Sequence, residues 1–245
     1  MDLDRALTFS RYAQHALTAA PGLRDEIAAT LDQPFDWPDA NATLAAIVAA
    51  GDAGALAIAL RTLRRRVFVH TLCRDLTTRA HLPEVLNAVT TLAEVALTAA
   101  VTLHARQLAE QFGDPIDTES GDVQPLIVIG MGKLGGAELN VSSDIDLVFV
   151  YPDEGDTRGP RSIANREFFD RLGRRVIGAL SDVTPDGYVF RVDMRLRPYG
   201  ASGPVDRVVR GARAIPGHAR SRLGALRVAQ GASADRQRVT TSSRI

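Results

Sequence analysis

The segment Val128–Asp146, VIGMGKLGGAELNVSSDID, holds the residues whose types and spacing could do chemistry. Asp144 and Asp146 open the run DIDLVFV, which reads as a strand. Two positions apart on a strand, both carboxylates leave the same face. Hard oxygen donors at that spacing suit Mg²⁺, which keeps several waters and shares phosphate oxygens with a substrate. Gly135-Gly136 reads as a helix start where small residues let backbone N–H groups approach a phosphate. A short helix carrying Glu138 and Asn140 as supports is expected between the glycines and the acids. Ser142 and Ser143 are placed to hydrogen-bond phosphate or to orient a carboxylate. Lys133, the only lysine in the chain, could neutralise a phosphate or simply be solvated.

A third acid comes from FRVDMRLR, residues 190–197, which alternates strictly. Phe190, Val192, Met194 and Leu196 share one face; Arg191, Asp193, Arg195 and Arg197 share the other. Asp193 can bridge a metal while Arg195 and Arg197 hold phosphate oxygens in bidentate contacts. An ordinary solvated strand face with surface ion pairs explains any one such strand. It does not explain Gly-Gly, Ser-Ser and Asp-x-Asp together. A second reading of the glycines also exists. Gly130, Gly132 and Gly135 match G-x-G-x-x-G after a strand, with Asp153 at the distance of a ribose-binding acid. A parallel crossover needs a dozen or more residues, and only 137–143 separate the end of the glycine run from the next strand.

The elements that must position these groups follow from periodicity. Residues 4–112 read as helices: one over 3–17 ended by Pro21-Gly22, one capped by Asn41 through Ala50, one through Arg79, and a long one from Glu84 to Phe112. The two prolines of QPFDWP, residues 33–38, make that stretch a loop anchored by Phe35 and Trp37. Arg61, Arg64, Arg65 and Arg66 read as mostly outward, and the run 64–66 as an exposed helix face or a docking surface. The turn-rich GDPIDTESGDVQ, residues 113–124, marks a domain boundary. Beyond it come strands at 126–129, 144–150 and 189–197 and an amphipathic helix over 165–180. The fold class expected is α+β, a helical segment (1–113) followed by a nucleotidyltransferase-type α/β core (114–205). His15, His70, His81 and His104 are scattered over the helical part and carry no assigned catalysis.

GMGKLGGAELNVSSDIDLVFVYP and GYVFRVDMRLRPYGASGPV closely resemble the glutamine synthetase adenylyltransferase/adenylyl-removing enzyme family. ALTFSRYAQHALTAAP and LRTLRRRVFVHTLCRD resemble its N-terminal helical segment. The resemblance covers residues 1 to about 204. Family enzymes are far longer, with two nucleotidyltransferase domains joined by a regulatory region. This chain resembles a truncated N-terminal half, the half that removes adenylyl groups. The resemblance implies Mg²⁺ on Asp144, Asp146 and Asp193, and adenylylated glutamine synthetase, phosphate and ADP or ATP as partners. A PII-type regulator is implied for the full-length enzyme. The expected reaction is phosphorolytic removal of AMP from a tyrosine; the alternatives are ATP-dependent adenylylation, a non-catalytic helical interaction fragment, or nucleic-acid binding through a basic tail.

The composition bounds these readings. The chain has 245 residues, 45% apolar and 24% charged, enough for a proper core. One cysteine, Cys73, excludes a disulfide framework and a zinc site of paired cysteines. The N-terminus resembles neither a signal nor a transit peptide, and the apolar stretch 44–60 is broken by Gly51, Asp52 and Gly54, so a soluble cytoplasmic protein with no membrane partner is expected. Net charge is zero, yet residues 206–245 carry nine Arg against two acids, a balance of +7, and no aromatic residue. With so much Arg and Ala, the gene reads as GC-rich. Residues from about 206 onward are therefore expected to be a disordered tail translated in a shifted frame, with no nucleic-acid role.

Overall fold

The computed structural model describes residues 3–193 and two short strands, 206–208 and 224–227. Six helices open it: α1 (Leu3–Thr8), α2 (Arg11–Ala19), α3 (Leu23–Thr30), α4 (Trp37–Ala50), α5 (Ala53–Leu76) and α6 (Leu82–Phe112). Local chemistry sets their ends. The Ser10 hydroxyl accepts the Ala13 N–H at 3.2 Å and caps α2, and Asp52 accepts the Ala55 N–H at 2.9 Å and caps α5. Helix α4 begins four residues earlier than the expected cap at Asn41, with Pro38 in its first turn. A proline there removes a donor that lacks an intrahelical partner anyway, so Trp37-Pro38 starts a helix instead of forbidding one. Helix α5 ends at Leu76, three residues short of expectation.

The sheet follows: β1 (Asp114–Pro115), β2 (Ile127–Met131), the short α7 (Gly132–Gly135), β3 (Ile145–Tyr151), β4 (Thr157–Arg158), α8 (Asn165–Ser181), β5 (Val192–Asp193), β6 (Asp206–Val208) and β7 (Gly224–Arg227). Strands β2 and β3 pair antiparallel, Met131 opposite Asp146. That pairing excludes the parallel βαβ unit a dinucleotide fingerprint requires. Strands β5 and β6 run parallel to β3 at its two ends, and β7 pairs antiparallel with β2. The tail expected to lack regular structure thus carries two strands, which take up edge positions that β2 and β3 leave open. The rest of 206–245, and Met194–Arg197 of the expected third strand, lie outside the described residues.

Alternation then decides which face is core. Ile145, Leu147, Phe149 and Tyr151 of β3 and Val128 of β2 pack with Phe168, Phe169 and Leu172 of α8 and with Leu97, Leu103 and Leu108 of α6 in one cluster. Leu56, Leu60, Leu63 and Val67 of α5 belong to it as well. The segment 113–124 therefore changes the type of structure without dividing the core. Helix α6 is long and apolar enough to cross a membrane by length and composition, a feature the sequence reading passed over. Its apolar length packs between α5 and α8. Cys73 is buried with its thiol pushed up to about 11, so it is no nucleophile.

The junction after α6 is tight. Gly113 has φ +87°, and a Cβ on it would stand 2.2 Å from the Arg158 carbonyl. The two segments touch backbone to backbone here, and the Thr157 hydroxyl donates to the Phe112 carbonyl at 2.7 Å. Gly113→Ala is expected to cost more than about 3 kcal/mol in urea unfolding, since neither backbone can give way; a loss under about 1 kcal/mol would contradict this packing.

Acid should loosen the fold. Burial holds the imidazoles of His70 and His104 below their ordinary value of 6.5. Between 6.5 and those lower folded values the unfolded chain binds more protons, so stability falls as pH drops through that window. Burial raises Glu94, which opposes the trend at lower pH. The urea midpoint is expected to fall between pH 7 and about 5.5, and less so in His70→Asn/His104→Gln; an equal fall in both proteins would remove the assignment.

Candidate active site

Asp146 and Asp193 are register partners on the neighbouring parallel strands β3 and β5. Adjacent strands lie about 4.8 Å apart and register partners project to the same side, so the two carboxylates stand side by side. The side is the one away from α6 and α8. Ile145 and Val192 turn to the core, and the residue after each turns outward. Both acids are half-buried. Gly132 lies beneath Asp146: its φ is +54°, and a Cβ there would come 2.9 Å from Asp146 Oδ2. Only glycine lets the β2–α7 turn pass so close under that carboxylate.

Asp144 stands just ahead of β3, and its carboxylate is taken by Arg191, whose Nε donates to Oδ1. The same guanidinium donates to the Ser142 carbonyl at 3.3 Å, and Asp144 raises its pKa above the ordinary value. Of the three expected acids, Asp146 and Asp193 thus stand side by side on adjoining strands, and Asp144, one residue ahead of β3, is ion-paired with Arg191. Among the described residues no three His, Cys, Asp or Glu side chains come close enough to form a ready metal cluster. The donor chemistry of the Asp146–Asp193 pair still fits Mg²⁺, which is commonly held by one or two carboxylates together with phosphate oxygens.

The glycine pair sits elsewhere than the spacing suggested. Gly135 is the last residue of α7 and Gly136 follows it, so Gly-Gly ends this helix and does not begin one. The Gly136 N–H donates to the Gly132 carbonyl at 3.0 Å and the Ala137 N–H to Leu134 at 3.2 Å, spending inside the turn donors assigned to phosphate. Glu138 and Asn140 lie in a loop instead of on a helix. Asn140 organises that loop: its Oδ1 accepts the Ser142 N–H at 3.1 Å and the hydroxyls of Ser142 and Ser143 at 3.0 and 2.9 Å. Lys133 Nζ is exposed and reaches Ser143 Oγ at 3.4 Å. Lys133, Ser142, Ser143, Asp144 and Asp146 therefore share one loop-and-strand corner; Arg195 and Arg197 lie outside the described residues.

The sequence is matched from residue 1 to residue 214 by the family model for Glutamate-ammonia ligase adenylyltransferase. The chain belongs to that family. Its curated relatives include bifunctional glutamine synthetase adenylyltransferase/adenylyl-removing enzymes. That of Chromobacterium violaceum is 51% identical over 201 residues, 82% of this chain and 22% of the relative. That of Ralstonia nicotianae is 50% identical over 204 residues, 82% of this chain and 21% of the relative. The Nitrosomonas europaea enzyme is 46% identical over 202 residues, 81% and 22% of the two chains. The chain thus spans 22% or less of these relatives' length. The adenylyltransferase family membership agrees with the helical-plus-α/β architecture.

Alternation places Arg191 on the face of Asp193, and that is the sequence signal for its ion pair with Asp144. Asn140 supports the site as expected, but from a loop whose geometry has no sequence signal.

Proposed function

We propose that this chain carries out metal-dependent adenylyl transfer on glutamine synthetase, in the direction of phosphorolytic removal. The observation that carries the reading is the Asp146–Asp193 pair on the outer sheet face, with Lys133, Ser142 and Ser143 on the adjoining loop. Orthophosphate would attack the phosphorus of an AMP group on tyrosine. The new P–O bond makes ADP, the tyrosyl–phosphorus bond breaks, and the phenolate takes a proton. A phenol with pKa about 10 is a tolerable leaving group.

Asp146 and Asp193 would hold Mg²⁺, with Asp144 as the third acid. Bound there, Mg²⁺ would neutralise the negative charge that phosphorolysis gathers at the transferring group. Lys133 orients phosphate as a point charge, and the Ser142 and Ser143 hydroxyls would turn from Asn140 Oδ1 to donate to its oxygens. Arg195 and Arg197 would hold further phosphate oxygens. The removal sense is supported by the resemblance of residues 1–112 to the helical segment of the family's adenylyl-removing half. The partners proposed are adenylylated glutamine synthetase, phosphate and ADP or ATP in the cytoplasm, and a PII-type regulator acting on full-length relatives.

The test is ADP release from adenylylated glutamine synthetase, phosphate and Mg²⁺. Phosphate-dependent ADP release supports the reading. Incorporation of AMP from ATP without ADP release would reverse the direction, and neither reaction would leave a non-catalytic fragment.

A further inference from the structure

The arginines of α5 do not form an outward face. Arg61 is 3% exposed and spends its guanidinium on backbone carbonyls. Its Nε donates to Gly187 at 2.8 Å, Nη1 to Ala57 at 2.9 Å and Ala179 at 3.3 Å, and Nη2 to Asp182. Three of these carbonyls belong to the end of α8 and the turn 182–187. Next to it, Arg65 pairs with Asp186 at 3.2 Å, and Arg64 lies over the Tyr188 ring at 4.9 Å.

What those contacts hold is the lead-in to β5. Thr184 and Gly187 close the turn by exchanging backbone hydrogen bonds of 3.0 and 2.8 Å. The N–H groups of Val189 and Phe190 both donate to the Leu180 carbonyl, and Phe190 packs edge-on to Phe68 of α5. Arg191 then accepts the Ile145 N–H and starts the pairing that places Asp193 opposite Asp146. The described part of β5 follows directly on this lead-in, so its position is coupled to what anchors the turn before it.

We propose that Arg61 is a positioning residue of the site: from helix α5 it fixes the turn 182–187 and so holds Asp193 beside Asp146. The helical part would then be a working part of the catalytic unit. This rests on the reading that Asp146 and Asp193 hold a divalent cation. Removing the guanidinium takes the donor from the Ala179 and Asp182 carbonyls and one of several from Gly187, and frees the turn, while the α6–α8 core stays packed.

Two measurements on Arg61→Met test the proposal: amide hydrogen exchange, which needs no ligand, and equilibrium binding of Mn²⁺ by electron paramagnetic resonance. Exchange across 189–193 should rise more than exchange in α6, and Mn²⁺ affinity should fall about ten-fold or more. In an Asp193→Asn background, Arg61→Met should weaken Mn²⁺ binding no further, since the two changes act on one ligand. A folded Arg61→Met protein with wild-type Mn²⁺ affinity and evenly raised exchange would reduce Arg61 to a stabilising residue and overturn the proposal. Wild-type protein that binds no Mn²⁺, or binds it unchanged in Asp146→Asn, would overturn the cation reading and the proposal with it. Should Arg61→Met fail to fold, Arg65→Gln loosens the same turn from the surface. It should shift both readings in the same direction by less, and no shift would count against the proposal.

Discussion

Asp146→Asn is expected to lower ADP release from adenylylated glutamine synthetase by more than about 100-fold, with the far-UV circular dichroism unchanged. Loss of a group that only supports a metal ligand costs about 10–100-fold, and a ligand itself should cost more. The substitution keeps the shape of the side chain and removes the charge. It lies on the outer face of β3, away from the cluster of Ile145, Leu147 and Phe149, so the core has no reason to respond. Asp193→Asn should behave alike because the two residues share one register position. Asp144→Asn should also lower activity, and it releases Arg191 besides. Rates measured over a Mg²⁺ series would separate lost metal affinity from lost turnover. Wild-type rates in both the Asp146 and Asp193 variants would refute the assignment.

Period-two reasoning is why so much of this corner was legible. In DIDL and FRVD one face is core and the other carries the acids, which farther along β3 turns apolar with Val148 and Val150, and alternation alone fixes which residues share a side. The register between the two strands is a tertiary fact that neither sequence contains. It depends on the turn 182–187 and on Arg61, three of whose four partners are 118 to 126 residues away along the chain. Nothing local separates Arg61 from its neighbours in a run rich in arginine. The Gly-Gly step failed for a different reason: glycine serves both the start and the end of a helix, and the positive φ of Gly132 already supplies the entry turn. Asp144 shows the same limit for charge. Spacing put it on the metal face, while the guanidinium that takes it comes from another strand.

Sequencing the gene through the codons for residues 206–245 is expected to reveal a one-nucleotide shift of reading frame near residue 208. Codons can be chosen for Val209–Arg236 so that reading one nucleotide later gives FEALEQYLVTQGRAWERYAWLKARALT, which resembles what the family carries after its RLRP-x-G-x-SGP motif. Third bases in that exercise are free and prove nothing. In each shifted codon, however, two of the three bases come from the near-invariant second base of one residue and first base of the next. Coincidence over so many codons is very improbable. The tail as read has nine Arg, two acids and no aromatic residue, the composition that a GC-rich gene yields out of frame. The shifted text has Trp, Tyr, Phe and Leu among charged residues, as a helix with one buried face would. A protein carrying the restored frame should show a higher melting temperature and less binding of a hydrophobic dye than the chain as given, because it adds apolar side chains able to cover the sheet. A gene whose shifted frame lacks that stretch would end the idea, and the +7 charge of the tail would then need a partner of its own.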